Sequence, residues 1–167
     1  SDFFNLKKIK KKIVDKKFKF ITALSMFYDL DKPNLFISDV KKLLHKDGVF
    51  LLEQVNLLSI IKKNIFDTIC HEHLEYYSSK VIVNMMLQND LRVFNIKHND
   101  VNGGSSQYYI CHKSSKFPKN KEKIKKILSY ENKYKLDKVK TYINFKKKIN
   151  FIKYDLINLF KKIKKNK

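Results

Sequence analysis

Residues 91–113, LRVFNIKHNDVNGGSSQYYICHK, limit the possible folds more than any other stretch of this chain. LRVFNIKH (91–98) and QYYICHK (107–113) are rich in β-branched and aromatic residues. The intervening NDVNGGSS supplies a glycine turn, so the two runs read as an antiparallel hairpin. Upstream, FKFITALS (18–25) and VFLLEQV (49–55) have the apolar pattern of buried strands. Between them NLFISDVKKLLHK (34–46) repeats Leu35, Phe36, Val40, Leu43 and Leu44 at helical spacing. Pro33 suits the first helical turn, Asp31 is a candidate cap, and Asp47-Gly48 is placed to end the helix. SSKVIVNMMLQND (78–90) predicts a second helix opened by a serine cap. The order is strand, helix, strand, insert, helix, strand–turn–strand. It implies an α/β fold whose mainly parallel sheet is covered on both faces and closed by the hairpin.

Two lysine-rich regions flank this unit. KKIKKKIVDKK (7–17) predicts a short helix or loop. From Phe117 onward there is no glycine, and Val139, Tyr142, Ile143, Phe145, Ile149, Ile152, Leu156, Leu159, Phe160 and Ile163 recur every three or four residues. That spacing predicts one or two long amphipathic helices with lysine-coated outer faces. The natural division is 1–115 and 116–167.

The formal net charge is +21, which raises a nucleic-acid-binding module as an alternative. Arg92 is the only arginine, however, and phosphate-gripping surfaces ordinarily use arginine's bidentate fork as well as lysine. Lysine filling solvated helix faces is the simpler reading, without a specific nucleic-acid partner. Apolar residues make up 43% of the chain and aromatic residues 13%, enough for a packed core. Cys70 and Cys111 are the two cysteines and do not suggest a disulfide framework, so a reducing cytoplasm is expected. No apolar run is long enough to predict a membrane span.

The chemistry concentrates in FDTICHEHLEYY (66–77). His71 and His73 are two apart, which excludes the zinc helix that needs histidines four apart. A His-x-His pair on a strand could share a metal with Cys70, Cys111 or His112. Acid–base catalysis is a further reading, because a histidine is poised to take a proton near neutral pH. Glu72, Glu75, Tyr76 and Tyr77 could tune it. A fourth reading is purely structural, with the histidines bonding the loop.

Three blocks resemble a known family, the S-adenosylmethionine-dependent class I C-methyltransferases, particularly those acting on nucleotide-linked deoxysugars. ITALSMFYDLDKPNLFISDVKKLLHKDGVFLLEQ is similar to a fourth strand, helix and fifth strand. FDTICHEHLEYYS is similar to the family signature, and NDVNGGSSQYYI to its later turn. Together they cover roughly residues 18–112. The resemblance implies strands four to seven of a Rossmann-like sheet with an antiparallel last strand, followed by the helical segment. It also implies S-adenosyl-L-methionine as cofactor and a small-molecule acceptor, such as a nucleotide sugar methylated next to a carbonyl through an enolate.

By position, His73 is the implied base and Glu72 its catalytic neighbour. His71, Tyr76, Tyr77, Asn102 and Gly103 would line the acceptor site, Ala23, Leu24 and Ser25 would approach the cofactor, and no metal is expected. Cys70 stands where many relatives carry tyrosine, and Asp29 where some carry histidine. The family's Gly-x-Gly turn, acidic strand end, cysteine-rich zinc region and carboxy-terminal domain are not found. The expectation is an internal segment of a longer enzyme, inactive alone.

Overall fold

A computed structural model describes residues 4, 6, 9, 11 and 16–165, so most of the 7–17 run lies outside the described residues. Four strands form one sheet: β1 (Phe18–Leu24), β2 (Leu44–Val55), β3 (Leu91–Asn99) and β4 (Ser105–His112), in the order β1-β2-β4-β3. β1 runs parallel to β2, and β4 lies antiparallel to both β2 and β3. Three strands therefore point one way, and the last is inserted against them. This is the α/β sheet with an antiparallel hairpin that the sequence order implies.

Helix α1 (Pro33–Leu43) has proline at its first turn as expected, but its cap differs from the sequence reading. Lys32 occupies the N-cap without a side-chain hydrogen bond, so Asp31 does not cap it. The helix ends at Leu43, and Leu44 opens β2 at once. Gly48 therefore lies within β2, at the irregularity where the β1 register slips between Phe18 and Phe20. A Cβ there would come within 2.9 Å of the Phe18 carbonyl and of Leu44 Cδ1. Glycine is needed at this position for close strand approach, not for a helix exit.

β1 is less enclosed than a buried strand. It lies at the edge of the sheet, and only Ala23 is buried; Phe20 is 59% exposed and Leu24 53%. The core sits on the other side of the sheet, where Phe27, Ile37, Phe50, Leu52, Ile82 and Met86 pack out of solvent. Each such side chain contributes about 1.5–3 kcal/mol.

Helix α2 (Leu57–Lys63) follows β2 directly. Asn56 caps it by accepting from Leu58 N–H at 2.8 Å, and Asn64 ends it in a left-handed conformation. Helix α3 (Ser79–Gln88) begins at the predicted serine cap, with Ser78 accepting from Val81 N–H. After β4, Arg92 donates to the carbonyls of Ser115 and Phe117, and Phe117 stacks on Phe94 with ring centroids 5.1 Å apart. The single arginine thus fixes the chain as it leaves the sheet.

Helices α4 (Lys121–Lys133) and α5 (Val139–Lys165) are the expected amphipathic segments. Only Phe145 of α5 is buried; Val139, Leu159 and Phe160 of the predicted apolar stripe stay exposed. No helix among the described residues is long and apolar enough to cross a membrane.

Candidate functional site

The signature stretch folds as a loop between α2 and α3, fastened at its carboxyl end. Leu74 and Glu75 donate their N–H groups to the Tyr28 carbonyl at 3.0 and 3.1 Å, and Leu57 N–H donates to the Tyr77 carbonyl at 3.1 Å. Within the loop, the Thr68 carbonyl collects two side chains. His73 Nδ1 lies 2.7 Å away and the Tyr76 hydroxyl 3.2 Å away. A carbonyl can only accept, so this bond puts the proton on Nδ1 and leaves Nε2 as the basic nitrogen. The imidazole also packs on the ring of Tyr28, with centroids 4.3 Å apart.

His73 lines a cavity of about 550 Å³ together with Tyr28, Asp67, Thr68, Asn102 and Gly103. Of the site residues read from sequence, His73, Asn102 and Gly103 are brought together here. Asn102 and Gly103 both have positive φ, 52° and 80°, and a Cβ on Gly103 would come 2.6 Å from Ile65 Cδ1. The turn therefore bends closely over the loop that carries His73.

The remaining sequence candidates fall elsewhere. Glu72 and His71 project outward, with side chains 76% and 92% exposed and 4.0 Å apart. They do not line this cavity; the carboxylate that does is Asp67. Tyr77 is 5% exposed and packs on Phe27 at 5.2 Å, a core position rather than an acceptor wall. Tyr76 lines neighbouring cavities beside α5. Among the described residues, no three histidine, cysteine, aspartate or glutamate side chains come together as a metal site requires.

Asp67 lies inside the signature stretch but escaped sequence reasoning in favour of Glu72, because spacing does not reveal which carboxylate turns inward; Tyr28 lies outside the stretch, and only the fold brings it against His73. Burial raises the Tyr28 phenol above its ordinary value, with Ser25 pulling it back, so it remains a neutral donor at physiological pH. Ala23, Leu24 and Ser25 form the carboxyl end of β1 and the turn after it. Ser25 has φ 50° and donates its N–H to the Glu53 carbonyl at 2.9 Å. Leu24 leaves an open apolar surface at this strand end, where α/β sheets bind ligands.

A second polar centre lies behind the site. Glu131 of α4 is 4% exposed, and its carboxylate accepts from Ser79 N–H at 2.8 Å, Lys80 N–H at 3.1 Å and Asn56 Nδ2 at 3.3 Å. It caps α3 across 52 residues of sequence.

Residues 100–167 match the family model described as the C-methyltransferase C-terminal domain, a stretch that begins in the β3–β4 turn and takes in β4, α4 and α5. The sequence reading, which found no carboxy-terminal domain in this chain, is corrected by this match. This chain is similar to the C-methyltransferases. A curated relative, C-methyltransferase NovU of Streptomyces niveus, is 39% identical over 69 residues. The match takes in 41% of this chain and 16% of the relative's length.

Similar solved structures include an O-methyltransferase family protein from Burkholderia thailandensis, with a TM-score of 0.48 and 11% identity, covering 70% of this chain and 35% of that one. Magnesium protoporphyrin IX methyltransferase from Synechocystis, solved with S-adenosylhomocysteine, has a TM-score of 0.47 and 11% identity over 65% and 49% of the two chains. A S-adenosylmethionine-dependent methyltransferase from Anabaena variabilis gives 0.46 and 13% over 64% and 53%.

Proposed function

We propose that this chain forms the acceptor-side part of an S-adenosylmethionine-dependent C-methyltransferase, with His73 as the base. The single observation that carries the proposal is the Nδ1 hydrogen bond from His73 to the Thr68 carbonyl, beside a cavity of about 550 Å³. It fixes the tautomer whose Nε2 can take a proton. The family match over residues 100–167 and the similarity to a C-methyltransferase support the type of reaction.

In this reading the acceptor is a small molecule with a carbonyl, a nucleotide-linked sugar or a compound like it. Nε2 of His73 removes a proton from the adjacent carbon, and the C–H electron pair moves into an enolate. Asn102 and the neutral Tyr28 phenol supply donors for the oxygen that gains charge. The cofactor, when bound, supplies an electrophilic methyl on a sulfonium. Ala23, Leu24 and Ser25 would hold the near edge of that group at the end of β1. The Gly-x-Gly turn that cradles it in class I methyltransferases is not among these 167 residues, so methyl transfer requires a cofactor-binding half carrying that turn.

The test is methyl transfer from labelled S-adenosylmethionine to a nucleotide-linked keto sugar, in the full-length protein that carries this chain. His73→Ala should reduce the rate by about 10²- to 10⁴-fold. An undiminished rate would remove His73 from the role.

A further inference from the structure

Tyr76 belongs to the signature stretch, and the family resemblance implies an acceptor-lining place for it. The fold gives it a different one. Its ring is half-buried and lies outside the His73 cavity, between the signature loop and α5. There it lines an apolar recess of about 320 Å³ with Leu57, Ile69 and Leu74, and with Tyr142 and Phe145 of α5. Its hydroxyl reaches back into the loop and donates to the Thr68 carbonyl at 3.2 Å, the same oxygen that holds His73 Nδ1 at 2.7 Å. Burial raises the Tyr76 phenol above its ordinary value, with the Cys70 backbone pulling it back, so the hydroxyl keeps its proton at physiological pH.

The loop between these groups has little else to hold it. Among the described residues, 70–73 form no backbone–backbone hydrogen bond, and no backbone N–H donates to the Thr68 carbonyl. The direction of that carbonyl is therefore set by the two side chains that use its two lone pairs. With His73 as the only donor, the imidazole would turn whenever the Thr68 peptide plane turned. A second donor, anchored through its ring in the recess beside α5, fixes the plane independently of the imidazole. We propose that Tyr76 is a positioning residue, whose hydroxyl holds the Thr68 carbonyl so that His73 keeps its proton on Nδ1 and presents Nε2 to the cavity. The proposal rests on the reading of His73 as the base. It assigns Tyr76 to the alignment of that base, and not to contact with the acceptor.

The test is steady-state methyl transfer to a nucleotide-linked keto sugar by the full-length protein that carries this chain, with deuterium exchange at the acceptor carbon followed beside it. Tyr76→Phe keeps the ring in its recess and removes only the hydroxyl. It should lower kcat by roughly tenfold, the cost of a slightly misplaced catalytic group. KM for the acceptor should stay within about twofold, because no ground-state contact is lost. Exchange at the acceptor carbon should slow by the same factor as kcat. A raised acceptor KM with kcat unchanged would make Tyr76 an acceptor contact and overturn the inference. Unchanged kcat and exchange in Tyr76→Phe would overturn it as well. Either result leaves the base in place provided that His73→Gln still abolishes exchange, so failure of this inference is distinct from failure of the reading for His73.

Discussion

Glu131 and Ser79 are joined by a 2.8 Å hydrogen bond from a backbone N–H at the start of α3 to a buried carboxylate on α4. The bond ties the helical segment after the sheet to the helix that follows the signature loop. Glu131→Ala would leave the Ser79 and Lys80 amides without their acceptor, while Asn56 Nδ2 would keep the Ser79 and Ser106 hydroxyls. A loss of roughly 2–4 kcal/mol in unfolding free energy is expected. Glu131→Gln keeps one acceptor oxygen and should cost less. Urea denaturation of both variants checks the order.

Two buried tyrosines should respond differently to loss of the hydroxyl. The Tyr108 hydroxyl donates to Ser79 Oγ at 3.1 Å, whereas the Tyr77 hydroxyl has no partner among the described residues. Tyr108→Phe should cost about 1 kcal/mol, and Tyr77→Phe should be neutral or stabilising. Both phenols are pushed up to about 12, chiefly by burial. A raised folded-state value means that the unfolded chain releases its protons first, near the ordinary phenol value of about 10. The contribution to stability is present in full below about pH 10 and is lost as pH rises through the folded values. Unfolding free energies measured between pH 8 and 12 should fall above about pH 10, less steeply in each phenylalanine variant.

The strand order and closing hairpin were legible because apolar runs, Pro33 and the Gly103-Gly104 turn are local signals. What failed depended on tertiary placement. Asp31 and Gly48 have plausible local roles, but β2 begins at Leu44 and takes the glycine into the sheet. FDTICHEHLEYY was visibly the chemical stretch, yet nothing in its spacing reveals which side chains turn inward. The Thr68 carbonyl draws in His73 and Tyr76, while Glu72 and His71 remain in solvent. Glu131 could not be read at all, because its partners lie 51 and 52 residues away.

The two turn glycines should differ in tolerance. A Cβ on Gly103 meets the flexible end of Ile65, at 2.6 Å from Cδ1. A Cβ on Gly104, where φ is 141°, meets Ser59 at both Oγ (2.6 Å) and Cβ (2.8 Å). Gly104→Ala should therefore lower stability by about 1–3 kcal/mol, more than Gly103→Ala does. Thermal unfolding of the two variants checks this.

Asp67 and Glu72 separate the cavity from its outer rim. Asp67→Asn should lower methyl transfer by roughly tenfold, the effect of one lost electrostatic partner. Glu72→Gln should leave it nearly unchanged, because that side chain is 76% exposed and outside the cavity. Steady-state rates of the two variants distinguish a role inside the cavity from the order of residues in the motif.

The most direct test of His73 as the base separates proton removal from methyl transfer. A nucleotide-linked keto sugar is incubated in heavy water with the full-length protein that carries this chain, without a methyl donor, and deuterium at the carbon beside the carbonyl is followed by NMR. The protein should speed exchange at that carbon, and His73→Gln should abolish the acceleration while leaving the fold intact. Exchange that continues at the unsubstituted rate in His73→Gln would contradict the account.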